Sequence, residues 1–295
     1  MAPSEGIELR RGRLICVVAP EHGGSIRRFA LERDGDWLDL MRPAPVNTRS
    51  PLAMACFPLI PFSNRIAHGR FAFAGRSVTL PPNMDGCPHP IHGQGWLESW
   101  AVDGREANWL RLSYQHRADD WPWCYRAVQT FELERERLAV TLELLNESAE
   151  PFPAGIGLHP YFPKPPGTRL TAEVGAMWLT DGEVLPTSHA APPPPWDPRQ
   201  GLDLDRVVLD HGFTGWNGRA DIDWPVSGIR LSMVAEGPMN HLVVYAPKNG
   251  DFFCAEPVSH MTDAVNHSEA APEARGLAVL ESGGRLAGRV TFTVG

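Results

Sequence analysis

RLAVTLELLNES, residues 137–148, carries an apolar side chain at every second position over most of its length. Alternate residues of an extended strand point to opposite faces. One face of this segment therefore collects four apolar side chains, Leu138, Val140, Leu142 and Leu144. The opposite face carries Thr141 and Glu143. This period of two predicts a strand with one buried face.

The same alternation recurs elsewhere in the chain, in WLRLSYQH (109–116), GIRLSMVAEG (228–237) and RVTFTV (289–294). Clusters typical of turns separate the strand-like segments, namely ERDGD, PPNMDGCP, KNGD and SGGR. We find no apolar stripe with the 3.6-residue period of a helix over 12 or more positions. The sequence predicts an all-β protein, a large antiparallel β-sandwich with little helix.

Proline makes up 29 of the 295 residues, about twice its usual share, which suits short strands joined by rigid turns. The segment AAPPPPWDPRQG (190–201) is the one biased stretch of the sequence. Its prolines cannot occupy a central strand, so a stiff extended loop is predicted. Strand-like segments lie on both sides of it, and no internal repeat is found. We expect residues 1–295 to form a single domain.

The formal net charge of −8 and the pI near 5.8, without a basic stretch, argue against nucleic acid or an anionic membrane as a partner. Five cysteines without a C-x-x-C pair favour a reducing compartment. The opening MAPSEGIELRRGR has no apolar signal core, and no run reaches the length of a membrane helix. A cytoplasmic protein is expected.

Two clusters in the first third of the chain contain groups able to bind or react. In PFSNRIAHGRFAFAGRSVTLPPN (61–83), Asn64 and Arg65 offer fixed donors and an acceptor, which suits vicinal hydroxyls. Arg65 could equally close a turn by binding carbonyl groups. In HPIHGQGWLESW (89–100), the glycine beside His92 allows a close approach of a ligand. His89 is better explained as a structural histidine.

The tryptophans of the same segment have different expected roles. Trp100 is expected in the core, whereas Trp96 could be a core residue or an apolar platform for a sugar ring.

Three later clusters add titratable groups. His159 lies in AGIGLHPYFPKP, and imidazole is the natural proton donor or acceptor near neutral pH. Asp210 precedes a histidine in VVLDHGFTGWNG. Glu256 follows an apolar run in FFCAEPVSHMTDAVN, and a carboxyl group against apolar walls acquires a raised pKa suited to a general base. A buried structural histidine and a solvated glutamate are the alternatives.

Five motifs together resemble the aldose 1-epimerase family, also called galactose mutarotase-like proteins. They are PFSNRIAHGRFAFAGRSVTLPPN, HPIHG, GIGLHPYF, LDHGF and EPVSHMTDAVN, in this order between residues 57 and 266. The resemblance implies the galactose mutarotase-like supersandwich fold. It also implies an isomerase that interconverts the α and β anomers of a free aldose without a metal or cofactor, as a monomer or homodimer.

The resemblance assigns roles to six positions. It makes Glu256 the catalytic base and His159 the general acid, and it places His92 as a second histidine near the anomeric carbon. Asn64, Arg65 and Asp210 match positions that hold sugar hydroxyls. Pro163 departs from the asparagine usual in mutarotases, so the resemblance does not specify the preferred sugar.

Four other functions remain open from the residues. A metal site would use His89, His92, His159 and Glu256, although H-x-x-H on an extended segment does not point both rings the same way. A glycosidase would use Asp210 and Glu256 as its two carboxyl groups. A non-catalytic sugar-binding protein can share the fold. A sugar-phosphate (hexose-6-phosphate) 1-epimerase would need an additional basic cluster, which the sequence does not locate.

Overall fold

The computed structural model describes residues 6–295, and these residues form twenty-four β-strands. The first twelve strands are β1 (Ile7–Arg11), β2 (Leu14–Ala19), β3 (Ser25–Arg33), β4 (Asp36–Asp39), β5 (Cys56–Leu59), β6 (Arg70–Phe73), β7 (Arg76–Thr79), β8 (Ala101–Glu106), β9 (Trp109–His116), β10 (Tyr125–Leu133), β11 (Arg137–Asn146) and β12 (Phe152–Ala154). The other twelve are β13 (Gly157–Pro163), β14 (Arg169–Ala172), β15 (Ala176–Thr180), β16 (Pro186–Ala190), β17 (Leu202–Asp203), β18 (Leu209–Thr214), β19 (Arg219–Trp224), β20 (Ile229–Glu236), β21 (His241–Ala246), β22 (Phe252–Val258), β23 (Ala278–Leu280) and β24 (Arg285–Val294).

Helical structure within residues 6–295 is limited to single turns, as the missing 3.6-residue period predicted. One α-helical turn, α1, spans Pro272–Arg275. The 3₁₀ turns are Pro51–Ala53, Ala67–Gly69, Pro198–Gln200 and Ala264–Asn266. None of the helices in this described range has the length and apolarity required to span a bilayer.

Two large antiparallel sheets contain most of the strands. The first sheet has eleven strands in the order β1-β2-β3-β5-β13-β22-β21-β18-β15-β16, with β4 paired to β3. The second sheet has nine strands in the order β17-β14-β19-β20-β24-β11-β10-β9-β8. Two short ribbons, β12-β23 and β6-β7, complete the pairing. The predicted antiparallel all-β class is confirmed.

The core lies between the facing surfaces of the two sheets. The apolar residues of β11 that alternate in the sequence are all buried there, and so are Ile229, Leu231 and Met233 of β20. Phe162 of β13 and Phe292 of β24 meet across the gap, with ring centroids 6.3 Å apart. The period-two pattern therefore predicted both the strands and their inward faces.

The proline-rich stretch is a connection, as its composition predicted. Residues 191–197 contain no strand, and the chain passes from β16 through this stretch into the 3₁₀ turn Pro198–Gln200.

The first sheet also uses its other face, which points away from the second sheet. Leu158 and Phe162 of β13 lie in the core between the sheets. His159 and Tyr161 alternate with them and therefore point away from that core. The same alternation on β5, β21 and β22 places six further side chains on this outer face, namely Phe57, Leu59, Val243, Tyr245, Cys254 and Glu256. Loops pack over this face and enclose a cavity.

Candidate active site

An acid–base pair lies where two central strands of the first sheet meet. The pairing of β13 with β22 sets Gly157 opposite Val258 and Tyr161 opposite Cys254. This register brings His159 beside Glu256, with Nε2 of the imidazole 3.3 Å from Oε1 of the carboxyl group. The two residues are only 7% and 3% exposed. A titratable base and a titratable acid are thus held in contact on rigid strands.

Burial shifts the pKa values of this pair in opposite directions. It lowers the pKa of His159 to about 3, and the positive charge of Arg42 adds to that shift. Burial raises the pKa of Glu256 well above its ordinary value, and the charge of Asp210 adds to that increase while Arg65 opposes it. In each case the low-dielectric surroundings disfavour the charged form. These surroundings therefore favour a protonated Glu256 beside a neutral imidazole.

His92 is locked to the neighbouring loop by two reciprocal hydrogen bonds. The backbone N–H of Asn64 donates to Nδ1 of His92 over 3.0 Å, and the backbone N–H of His92 donates to the carbonyl of Asn64 over 3.0 Å. Both residues have positive φ, 56° for Asn64 and 63° for His92. Asparagine and histidine are among the non-glycine residues that tolerate this region.

These bonds determine which nitrogen of His92 carries the proton. Because Nδ1 accepts a backbone hydrogen bond, the neutral ring carries its hydrogen on Nε2. Burial lowers the pKa of His92 well below its ordinary value, and the neighbouring His159 and Arg65 add to the shift. The His92 and His159 rings are perpendicular, with centroids 5.2 Å apart. His92 is thus a neutral hydrogen-bond donor beside the acid–base pair.

A second buried histidine supports the same loop from the other side. His260 accepts a hydrogen bond on Nε2 from the backbone N–H of Ser63 over 3.1 Å. Asp263 accepts the backbone N–H of Ala67 over 3.0 Å and donates its own backbone N–H to the carbonyl of Arg65. His260 and Asp263 were not predicted from the sequence, although both belong to the motif that contains Glu256. Their hydrogen bonds join that motif to the loop at residues 63–67.

Arg65 and Asp210 come from different elements and lie together in the cavity wall. Nη2 of Arg65 lies 3.9 Å from Oδ2 of Asp210, and Nη1 of Arg65 donates to the side-chain oxygen of Asn64 over 3.1 Å. Asp210 projects from β18, where it lies opposite Tyr245 of β21. Burial raises the pKa of Asp210, whereas Arg65 lowers it. A cation, a carboxyl group and an amide are therefore presented together, as binding of vicinal hydroxyls requires.

All six residues that the sequence assigned to the site line one cavity of about 320 Å³. This volume falls within the usual range of about 300–1,000 Å³ for small-molecule sites. The cavity wall also includes seven residues that sequence analysis did not assign, namely Arg42, Leu52, Met84, Ile91, Tyr161, Tyr245 and Phe252. Tyr161 lies within the motif GIGLHPYF, whereas Arg42 had no local signal in the sequence.

His89, expected to be structural, and Trp96, whose role was left open, both lie outside the cavity wall. His89 is buried, accepts the backbone N–H of His68 on Nδ1 over 2.9 Å, and is absent from the cavity wall. Trp96 is 2% exposed and stacks on Phe57 beneath the site, with ring centroids 5.2 Å apart. The sugar-platform role considered for Trp96 is therefore wrong, because its ring is covered. Trp100 is a core residue, as expected.

The metal site considered from the sequence included both His89 and His92. His89 cannot contribute to a metal site in the cavity, because it is absent from the cavity wall. A different set of donors comes together in the described residues, since those of His159, Cys254 and Glu256 lie within 4.8 Å of one another. Any metal bound there would occupy both members of the acid–base pair.

The model of a protein family described as aldose 1-epimerase matches residues 5–293. The chain belongs to the aldose 1-epimerase family. The uncharacterized protein YphB of Escherichia coli (strain K12) is 36% identical over 247 residues, which cover 80% of this chain and 84% of that protein.

Solved structures of the family share the fold. A candidate aldose 1-epimerase from Escherichia coli K12 matches with a TM-score of 0.88 and 33% identity over 98% of both chains. A galactose mutarotase-like protein from Clostridium acetobutylicum matches with a TM-score of 0.86 over 98% of this chain and 94% of that one. At 17% identity, the second match supports the fold alone. Membership in the aldose 1-epimerase family implies a sugar as the ligand.

Proposed function

We propose that the protein is an aldose 1-epimerase that interconverts the α and β anomers of a free aldose by acid–base ring opening and closure, without a cofactor. The observation that carries this proposal is the buried contact of 3.3 Å between His159 and Glu256 in the wall of a sugar-sized cavity. Anomerisation requires a proton to leave the C1 hydroxyl and another to reach the ring oxygen. Both oxygens are bonded to C1, so one base and one acid held close together suit the reaction.

The proposed reaction balances its protons within the site. Glu256, as carboxylate, takes the proton of the C1 hydroxyl, while His159, as imidazolium, gives a proton to the ring oxygen. The bond between C1 and the ring oxygen breaks as the C1 carbonyl forms, giving the open-chain aldehyde. Rotation about the C1–C2 bond presents the other face of the carbonyl. Closure then returns the proton of the hydroxyl to His159 and the proton on Glu256 to O1.

The protonation states that burial favours are compatible with this scheme. Burial favours a neutral Glu256 and a neutral His159, and the pair then holds one exchangeable proton. Moving that proton across the 3.3 Å contact gives the carboxylate and imidazolium that the reaction needs. A bound sugar stabilises this ionised form because its C1 hydroxyl donates to the carboxylate and its ring oxygen accepts from the imidazolium. The net charge of the pair does not change.

The remaining polar groups would hold the sugar in place. His92 would donate from Nε2 to an oxygen at the anomeric carbon, because Nδ1 is already occupied by the backbone of Asn64. Arg65, Asn64 and Asp210 would bind hydroxyls on the rest of the ring. These contacts would hold the sugar ring in a fixed orientation against the acid–base pair. Such orientation of the reacting groups increases the reaction rate.

Polarimetry or NMR on freshly dissolved α-anomers of several aldoses tests the proposal. The spontaneous rate is measured in parallel and subtracted. Acceleration of at least one aldose supports an epimerase. Binding of aldoses without any acceleration would replace the proposal with a non-catalytic sugar-binding protein.

A further inference from the structure

Arg42 is a half-buried cation in the cavity wall, on the side where Tyr161 and Phe252 lie. Its backbone N–H donates to the carbonyl of Tyr161 over 2.8 Å, which ties the residue to β13. The guanidinium carbon lies 4.0 Å from the ring centroid of Tyr161 and 4.6 Å from that of Phe252. Nη2 donates to the carbonyls of Leu52 and Met54 over 2.8 and 3.2 Å.

These contacts fix the guanidinium but leave its charge without an anion. Within the described residues, the contacts of its side chain are two backbone carbonyls and two aromatic rings, with no carboxylate among them. Nη2 is the nitrogen that both carbonyls engage. A guanidinium has five N–H donors in a planar fork, so donors remain for a ligand.

The other charged groups of the cavity offset one another. Arg65 lies 3.9 Å from Asp210, and the two opposite charges compensate. His159 and Glu256 carry no net charge together, whether their exchangeable proton lies on the carboxyl group or on the imidazole. Arg42 is left as one uncompensated positive charge in the wall. Its field reaches the reacting centre, because it adds to the effect of burial in lowering the pKa of His159.

The position of Arg42 indicates which part of a sugar it would contact. Tyr161 is two residues beyond His159 on β13, about 7 Å along the strand, and Arg42 packs on Tyr161. In the proposed reaction His159 protonates the ring oxygen. The ring oxygen is bonded to C1 and C5, and Glu256 occupies the C1 side. In that reaction a C5 substituent would lie on the His159 side of the ring, and Arg42 packs on Tyr161 of the same strand.

We propose that Arg42 is a specificity-determining residue that binds an anionic group carried on C5 of the aldose, so that the preferred substrates are charged sugars such as uronates or sugar 6-phosphates. This inference rests on the proposed epimerase activity. It supplies the basic residue near the site that the sequence did not locate. A carboxylate and a phosphate share the chemistry that a guanidinium recognises, and the experiment distinguishes them.

Exchange NMR at anomeric equilibrium measures the interconversion without a pure anomer. The sugars are D-glucuronate with D-glucose, D-galacturonate with D-galactose, and D-glucose 6-phosphate with D-glucose. For the parent, we expect kcat/KM for at least one charged sugar to exceed that of its neutral partner by about tenfold or more. The charged sugar with the larger ratio identifies the carboxylate or the phosphate as the preferred group.

Variants assign that preference to Arg42. We expect Arg42→Gln to lower the charged-to-neutral ratio of kcat/KM to near one, and Arg42→Lys to retain part of it. Arg105→Gln is the matched control, because it removes an exposed positive charge on β8 of the second sheet and should leave the ratio unchanged. A parent that converts charged and neutral sugars equally well overturns the inference whether or not the Arg42 variants fold.

The outcome also separates this inference from the proposed function. Acceleration of neutral aldoses without a charge preference overturns the role of Arg42 and leaves the epimerase standing. If no sugar is accelerated, the epimerase proposal fails, and calorimetric binding to the parent decides the role of Arg42. Tighter binding of a charged sugar than of its neutral partner supports that role, and equal binding overturns it.

Discussion

Glu256 and His159 are each buried enough to disfavour their own charge, yet the proposed reaction uses both as ions. Their contact reconciles these requirements, because the carboxylate and imidazolium forms stabilise each other once a proton has moved between them. The two groups therefore titrate as a pair, and their macroscopic pKa values belong to the pair rather than to either residue. The proposed reaction requires the state with one exchangeable proton.

The pH dependence of kcat/KM follows from that state. Activity falls at low pH when the pair takes up a second proton, and it falls at high pH when the pair loses its only one. Because burial lowers the pKa of His159 to about 3 and raises that of Glu256, we expect a broad plateau between the two limbs. A pH–rate profile measured with the preferred aldose checks this. An acid limb centred near 6.5, the ordinary pKa of histidine, would contradict the pairing.

Arg65 differs from the acid–base pair because it moves no proton. We expect Arg65→Ala to raise KM about tenfold or more while kcat changes less, since it removes charge-assisted hydrogen bonds to hydroxyls. Steady-state kinetics on the preferred aldose measure the separation. Arg230→Ala is a suitable control, because it removes an arginine bonded to Asp223 on the second sheet. A fall in kcat alone would show that Arg65 is not a binding residue.

At the scale of elements, the site depends on a loop held between buried histidines. His92 lies at positive φ and is followed by Gly93, whose φ is 68°. A Cβ atom added at Gly93 would lie 2.1 Å from the carbonyl oxygen of Ile60. This close approach of two backbone segments positions the imidazole of His92 over the acid–base pair, so the glycine is required by geometry rather than by flexibility.

We therefore expect Gly93→Ala to lower the free energy of unfolding by about 2 kcal/mol or more through strain and backbone overlap. Activity should fall as well, because His92 would be displaced. Thermal or urea unfolding measures the first effect and anomer exchange the second. Gly182→Ala is the matched control, since an added Cβ there meets no atom within 4 Å. Equal stability of both variants would contradict the role given to Gly93.

The strands were predictable because a half-buried sheet requires apolar and polar residues to alternate. This alternation can be seen in a single segment such as 137–148. The six assigned residues were predictable only through the resemblance of several motifs, since each motif alone fitted a structural role. Arg42 was not predictable, because its cavity position depends on contacts with Tyr161 and Phe252, which are distant in sequence. The burial that removes Trp96 from the cavity wall is likewise a property of the folded loops.

At the scale of the whole molecule, the two sheets have different structural roles. The second sheet covers one face of the first and forms the core, which leaves the other face of the first sheet free to carry His159, Glu256 and Asp210 on neighbouring or nearby strands. Side chains on paired strands are held more rigidly than side chains on loops. The proposed reaction centre is thus on strands, and loops supply His92 and Arg65.

The proposed reaction, which uses proton transfer alone, predicts how the protein responds to metal ions. Proton transfer needs no metal, so exhaustive chelation should leave the rate of anomer exchange unchanged. Added Zn²⁺ should inhibit, because His159, Cys254 and Glu256 present donors within 4.8 Å of one another and a metal there would occupy both groups of the proposed acid–base pair. Cys254→Ala should weaken that inhibition. Loss of activity on chelation, restored by zinc, would contradict proton-only catalysis.

The central claim is that Glu256 and His159 together move the two protons of anomerisation. Anomer exchange and sugar binding of the parent, Glu256→Gln, His159→Asn and the double variant test it most directly, with Glu236→Gln, a substitution of an exposed residue at the end of β20, as the control. We predict that each single variant lowers turnover by about 10²- to 10⁴-fold while binding largely survives. The double variant should lose less than the product of the single effects, because the groups act in one step. Turnover at the parent rate by either single variant would contradict the claim.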